Sequence, residues 1–193
     1  MRLPMQLVLA STSPYRKALL ERLGLRFAVA APRVDERPLP GEAPADTARR
    51  LAVLKAAAVR PGFPDALIIG SDQVAACGSQ RLDKPGTHDN AVRQLRSLSG
   101  KAADFHTAVC VARPDRAETA VVLCRVQFRE LDERRIESYL RREQPYDCAG
   151  SAKAEGLGIA LIERIDTDDP TSLIGLPLIA LTAMLERAGL PVL

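Results

Sequence analysis

The sequence predicts an α/β fold, a mixed β-sheet with flanking helices, and two patterns carry that expectation. Apolar strand-like runs alternate with helix-like runs through the first 70 residues, and two long strand-like runs follow, joined by the polar segment Arg113-Pro-Asp-Arg116 as an antiparallel hairpin. Composition agrees, because 47% hydrophobic and 26% charged residues in a chain of 193 suit a packed core and exclude a disordered protein. No internal repeat, low-complexity stretch or long linker divides the chain, so one domain over residues 1–193 is expected.

In order, a strand near 6–10 runs through Ser11-Thr-Ser13 into a helix near 14–23 that groups Leu19, Leu20 and Leu23 and stops at Gly24. A strand near 26–31 precedes a helix near 45–59, which places Leu51, Leu54 and Ala58 on one side and stops before Pro61. The strongly apolar strand near 66–70 ends at Ser71-Asp72-Gln73. Then come a helix near 88–98, strands near 103–112 and 119–129, and a helix near 133–143 capped by Asp132. A short strand from Gly158 to Glu163 and a helix from Leu178 to Arg187, ending at Gly189, complete the pattern.

Several function classes drop out. The formal charge of +3 is small and spread along the chain, which suits a small anionic substrate better than nucleic acid. Four cysteines, Cys77, Cys110, Cys124 and Cys148, form no C-x-x-C pair and stand beside only two histidines, so neither a zinc site nor a disulfide framework is expected. Reduced thiols in a cytoplasmic protein are the simpler reading. The apolar stretch from Leu173 to Leu185 contains Pro177 and falls short of the about 20 residues that span a bilayer, and the N-terminus lacks the pattern of a signal peptide.

The chemistry-bearing residues stand where strands end and loops turn. Ser13 is suited to a helix N-cap and Pro14 to the first helical position, so Ser11, free backbone N–H groups and Arg16 would face an anion there. Glu36 follows the second strand, Lys55 lies on an apolar helix, Asp72 directly follows a buried strand and Lys84 sits in the next loop. Singly, each has an ordinary explanation as a turn, cap or solvated charge. Together they meet the needs of phosphoanhydride hydrolysis: Arg16, Lys55 and Lys84 as cations for the phosphates, Glu36 and Asp72 as carboxylates for a divalent metal, and one of the two as the base that orients water. No G-x-x-x-x-G-K-[ST], G-x-G-x-x-G or G-x-S-x-G segment is present, and neither His88 nor His106 adjoins a nucleophile.

Seven ordered segments are similar to the Maf family of nucleotide pyrophosphatases: Leu9-Ala-Ser-Thr-Ser-Pro-Tyr-Arg16, Val34-Asp-Glu36, Arg50-Leu-Ala-Val-Leu-Lys-Ala56, Gly70-Ser-Asp-Gln-Val74, Lys84-Pro85, Leu98-Ser-Gly100 and Cys148-Ala-Gly-Ser-Ala-Lys-Ala-Glu-Gly156. The resemblance covers nearly the whole chain. It implies a Maf/ITPase-like fold with two lobes around a cleft, a divalent cation such as Mg²⁺ or Mn²⁺, a homodimer, and hydrolysis of a nucleoside triphosphate to the monophosphate and pyrophosphate. It also implies that Ser11, Arg16, Lys55 and Lys84 contact phosphates, Glu36 serves the metal and Asp72 accepts the proton. One departure stands out: Asp83 occupies a position where the family often has glycine.

Within the family the chain resembles the branch acting on 7-methyl-GTP, through Tyr15, Gln73 and Glu155, and through Asp169-Pro-Thr-Ser-Leu-Ile-Gly-Leu-Pro-Leu178. Methylation makes the guanine imidazole ring cationic, and an aromatic face such as Tyr15 attracts a desolvated cation by about 2 kcal/mol or more. Glu155 could accept hydrogen bonds from the guanine Watson–Crick edge, which a carbonyl-rich pyrimidine does not offer. The rival readings are a dTTP and UTP pyrophosphatase of the same family and a nucleotide-binding regulator of cell division with little turnover.

Overall fold

The computed structural model describes residues 5–193. Its strands are β1 (Leu7–Ala10), β2 (Ala28–Ala30), β3 (Leu67–Cys77), β4 (Gln80–Leu82), β5 (Ala102–Ala112), β6 (Ala117–Phe128) and β7 (Ile162–Thr167), and its α-helices are α1 (Pro14–Glu21), α2 (Pro44–Val59), α3 (His88–Leu98), α4 (Glu133–Glu143) and α5 (Leu178–Arg187). The hydrogen-bonded strand order is β2-β1-β3-β5-β6-β7, with β4 paired to β3. The fold is therefore the expected mixed α/β type.

The chain divides into two compact units, and β3, β5 and β6 each contribute residues to both. The first unit holds the residues up to Gln73, Thr107–Val122 and Asp169–Leu193. In it β1 pairs in parallel with β2 and with the first half of β3, Leu9 lying opposite Val29 on one side and Ile69 on the other. Parallel strands are buried on both faces, which is why β1 and the start of β3 read as unbroken apolar runs. Leu19 and Leu20 of α1 and Leu181 and Leu185 of α5 pack with Leu7, Leu9, Leu67 and Ile69, each such side chain contributing roughly 1.5–3 kcal/mol by leaving water.

The second unit holds Val74–His106 and Leu123–Asp168. There β4 runs antiparallel to the end of β3, and β7 antiparallel to the end of β6 with a register shift at Gln127/Phe128. Helices α3 and α4 present strongly amphipathic faces that bury Leu95, Leu98, Ile136 and Leu140. Thr87 and Asp132 cap them, accepting hydrogen bonds from the amides of Asn90 and Arg135.

The structure corrects three local expectations and adds one short strand. Asp72 lies inside β3 instead of following it, because buried partners supplied from elsewhere in the first unit satisfy Ser71, Asp72 and Gln73 within the strand. Strand β4 is not among the expected elements, although Gly78-Ser79, with Gly78 at φ 59°, is a two-residue hairpin turn signal. Residues Leu157–Leu161 form a 3-10 turn, and the strand expected from Gly158 starts only at Ile162. On α2 the buried face is Thr47, Ala48, Leu51, Ala52, Lys55, Ala56 and Val59, whereas Leu54 is 40% exposed and Ala58 is exposed. Small residues face inward on α2 because the strand beneath comes very close, and among the described residues no helix is long and apolar enough to cross a membrane.

Candidate active site

Four segments of the first unit build the site. The first is the β1–α1 turn. Ser13, extended at φ −70° and ψ 120°, caps α1 by accepting the Arg16 amide at 3.3 Å, and Pro14 opens the helix as its missing N–H allows. Buried Ser11 accepts the Ser13 amide at 3.1 Å, so both hydroxyls shape the turn while keeping a proton to donate. Arg16 is half-buried and its Nε donates to the Gly175 carbonyl at 2.8 Å. Burial lowers its pKa from the ordinary guanidinium value, opposed by the negative charges of Asp72 and Glu36. Tyr15 is half-buried on the same turn of helix.

The second and third segments bring α2 onto β3. Gly70 explains how: a Cβ there would stand 2.1 Å from the Ala52 carbonyl oxygen and 2.9 Å from the Ala56 nitrogen. Only glycine permits that approach. It delivers Lys55, itself buried, to Asp72, and the lysine Nζ donates to Asp72 Oδ1 at 2.7 Å and meets Glu36 Oε1 at 2.8 Å. A buried ammonium needs such partners, and here two carboxylates share it. Glu36 is 58% exposed in its side chain, whereas Asp72 is 9% exposed. Glu42 steadies the Glu36 loop by holding Arg50 Nε and Nη2 at 2.6 and 2.7 Å, while Arg50 also donates to the Arg37 carbonyl at 3.1 Å.

The fourth segment, Asp169–Leu178, is a brace. Asp169 accepts from the Thr171 amide and hydroxyl and from the amides of Ile179 and Ala180, tying a 3-10 turn to the start of α5. The carbonyls it presents take the polar groups of β3: Ser71 Oγ lies 3.0 Å from the Gly175 oxygen, and also 2.8 Å from the Ala108 oxygen of β5, and Gln73 Nε2 donates to the Ser172 and Leu173 oxygens at 2.9 and 3.1 Å. Thr107 adds a bond from its hydroxyl to the Ser172 oxygen at 2.9 Å and lies 2.9 Å from Gln73 Nε2. Gln73 is thus engaged by its amide nitrogen in holding the brace.

Ser11, Arg16, Glu36, Lys55, Asp72 and Gln73 all belong to the first unit, while Lys84 and Glu155 belong to the second. Lys84 is exposed in a loop fastened by Gln94 to the Asp83 carbonyl at 3.0 Å, by Asn90 to the Pro85 carbonyl at 2.8 Å and by the Gly86 amide to the Tyr146 carbonyl at 2.9 Å. Asp83 is not among the residues with positive φ, so this loop does not require the family's glycine there; Gly86, at φ 70°, takes the left-handed position. Glu155 is exposed on a turn held by Glu143, which accepts the Leu157 amide at 2.7 Å and pairs with Lys153 at 3.0 Å, and by Tyr139, which accepts the Lys153 amide at 2.9 Å. Cys77, Cys110, Cys124 and Cys148 form no disulfide, and burial pushes the Cys110 and Cys124 thiols up to about 11.

The donor set fits a hard divalent cation. Asp72 and Glu36 already converge on one cationic nitrogen, and an ion of the magnesium type uses one or two carboxylates with substrate phosphate oxygens and water. Among the described residues no group of three or more His, Cys, Asp or Glu side chains could hold a metal, so the remaining ligands would come from substrate and solvent.

Sequence reasoning missed Asp169, Thr107, Arg50 and Glu42 as supports. A faint signal existed for Asp169, since Asp-Pro-Thr is a helix-start pattern, but nothing in the sequence pairs Glu42 with Arg50 or Thr107 with Gln73.

The first unit of this α/β protein thus sets a strand-turn-helix carrying two hydroxyls and an arginine near a lysine that bridges two carboxylates, the residue types that phosphate-handling enzymes use. The sequence profile described as Maf-like protein matches residues 6–188, and the chain belongs to that family. It is 58% identical to the 7-methyl-GTP pyrophosphatase of Polaromonas sp. over 95% of this chain and 84% of that one. Identity is 55% to the protein of the same name from Nitrosococcus oceani, over 98% and 96% of the two chains, and 54% to that from Cupriavidus pinatubonensis, over 96% and 94%. Among solved structures, the Ham1 protein of Staphylococcus aureus aligns with a TM-score of 0.43 and 17% identity over 64% of this chain and 71% of that one.

Proposed function

We propose that this protein is a nucleoside triphosphate pyrophosphatase that hydrolyses 7-methyl-GTP to 7-methyl-GMP and pyrophosphate. The observation that carries the reading is the near full-length match, above 50% identity, to relatives named for that reaction. The convergence of Asp72 and Glu36 on Lys55 supports the hydrolytic part.

Water attacks the α-phosphate, and Asp72 takes its proton at the carboxylate. Lys55 holds that carboxylate in place through its 2.7 Å hydrogen bond, while Arg16, Lys55 and Lys84 neutralise the charge that builds on the leaving pyrophosphate. Ser11 and the amides at the start of α1 orient the phosphate chain. Mg²⁺ or Mn²⁺, held by Glu36 and Asp72 when bound, would supply polarisation of the phosphoryl oxygens. Tyr15 gives an aromatic face to the cationic base, Glu155 accepts from its Watson–Crick edge, and Gln73 acts on specificity by holding the 170–174 turn. The assignments of Lys84 and Glu155 rest on the family resemblance. So does a homodimer, while a cytoplasmic location rests on the scattered cysteines, which suit reduced thiols.

Pyrophosphate release measured with Mg²⁺ or Mn²⁺ on 7-methyl-GTP, GTP, dTTP, UTP and CTP tests the reading. Preference for 7-methyl-GTP that collapses toward the pyrimidine nucleotides in Y15R/E155Q is the expected result. A preference for dTTP and UTP would keep the chemistry and remove the base assignment, and no turnover on any of them would point to a regulator.

A further inference from the structure

Helix α4 and the Leu157–Leu161 turn of the second unit line an open, concave cavity of about 330 Å³ that the hydrolytic reading leaves unused. Its helical wall carries Arg134, Arg135, Ser138 and Arg142, and Leu157 and Leu161 face it from the turn. Helical spacing puts the four polar residues together, because 134, 138 and 142 repeat at four residues while 135 falls between adjacent rows.

These arginines differ from their neighbours. In the same unit Arg96 pairs with Glu133, Arg125 with Asp104, Arg141 with Glu137 and Arg164 with Asp166. Arg134 and Arg142 meet no carboxylate among the described residues, and the Arg135 guanidinium donates to the Glu130 backbone carbonyl, at 3.1 Å. Asp132 also lines the cavity, but its carboxylate is engaged in capping α4, where it accepts the Arg135 amide at 2.7 Å. Three guanidinium groups around one committed carboxylate leave excess positive charge over a concave surface.

The floor is of another kind. Tyr139 and Leu161 are 5% and 1% exposed, and with Leu157 and Ala160 they give an apolar wall. The walls are fastened to one another, since Tyr139 accepts the Lys153 amide and Glu143 of α4 accepts the Leu157 amide, so the cavity is preformed. Guanidinium forks match phosphate oxygens, and an apolar floor suits a flat heterocycle. The volume lies within the about 300–1,000 Å³ typical of small-ligand pockets.

We propose that this cavity is a second binding site, for a nucleoside monophosphate, made of residues that take no part in hydrolysis. Arg134 and Arg142 hold the phosphate, and the base rests against Tyr139 and Leu157.

Calorimetric titration of the full chain with GMP, compared between wild type, R134Q/R142Q and R134K/R142K, tests it. The expected difference is one equivalent of GMP per chain whose affinity falls at least tenfold in R134Q/R142Q and less in R134K/R142K. Pyrophosphate release from 7-methyl-GTP and the melting temperature should stay within error, because these side chains are exposed. Superimposable GMP isotherms for wild type and R134Q/R142Q would overturn the proposal. Guanosine bound at this site as tightly as GMP, or inorganic phosphate bound as tightly as GMP, would overturn the nucleotide assignment.

Discussion

Lys55 and Lys84 carry the same ammonium and the same proposed task, and the fold treats them in opposite ways. Lys55 is 5% exposed, drawn by the Gly70 contact onto Asp72 and Glu36, whereas Lys84 stands exposed on a loop whose backbone is tied down on both flanks. A buried ammonium must be matched by carboxylates or it would cost several kcal/mol. An exposed one costs little and constrains nothing. The first unit therefore builds its proposed chemistry into its core, where the bonds that would serve activity also serve stability, while the second carries its proposed contacts on a scaffold that would stand without them.

The strongest way to break this comparison is Asp72→Asn. Turnover should fall by about 10²–10⁴, the usual worth of a positioned acid–base group, and Lys55 should lose a charged hydrogen bond worth about 1.5–3 kcal/mol. Lys84→Ala should also slow the reaction but leave the melting temperature unchanged. Pyrophosphate release and thermal melts on the two variants decide it, and an Asp72→Asn protein with near-normal rates would remove Asp72 from the chemistry.

Next in size is Gly70→Ala. The added methyl cannot fit against the Ala52 carbonyl unless α2 moves, so stability should fall by at least the roughly 1–3 kcal/mol of an overpacked core. Because α2 carries Lys55, kcat should fall with it even at temperatures where the variant is folded. Melting and single-turnover rates measured together show whether the two losses travel as one.

The smallest effect concerns the loop that carries Glu36. Arg50 and hydrogen bonds from Leu39 and Thr47 hold the Glu42 carboxyl at about 2, below its ordinary 4.5. A folded-state pKa below the unfolded one contributes stability that is complete above pH 4.5 and is lost as pH falls from there toward 2. Glu42→Gln should flatten that part of the stability curve and leave the region above pH 5 nearly parallel to wild type. Acid titration followed by circular dichroism reads the difference, and an unchanged acid limb would show that Glu42 does not brace the loop.

Much of this architecture is legible along the chain. The period of apolar residues marks the five long helices and the parallel strands, and Ser13-Pro14 and Asp132 announce their helix starts because caps and proline act on the backbone next to them. Failures came where a residue's fate rests on distant partners. Ser71, Asp72 and Gln73 read as a strand end by composition, yet they continue β3 because Lys55, Ala108, Ser172 and Gly175 satisfy them. Leu54 reads as core by helical spacing, yet the face that meets β3 is the one that carries Lys55, and Leu54 is left 40% exposed.

The sequence alone thus determines the fold class, the helix starts and the chemical inventory of acids, cations and hydroxyls, all of which follow from local backbone preferences and residue identity. Tertiary structure decided which of those charges are buried together, that Gly70 is what lets Lys55 reach Asp72, and that Asp169 braces the segment supporting Ser71, Gln73 and Arg16. The reason is physical: the free energy of a charge or polar group in a fold depends on desolvation and on partners brought from tens of residues away, and no local pattern encodes that distance.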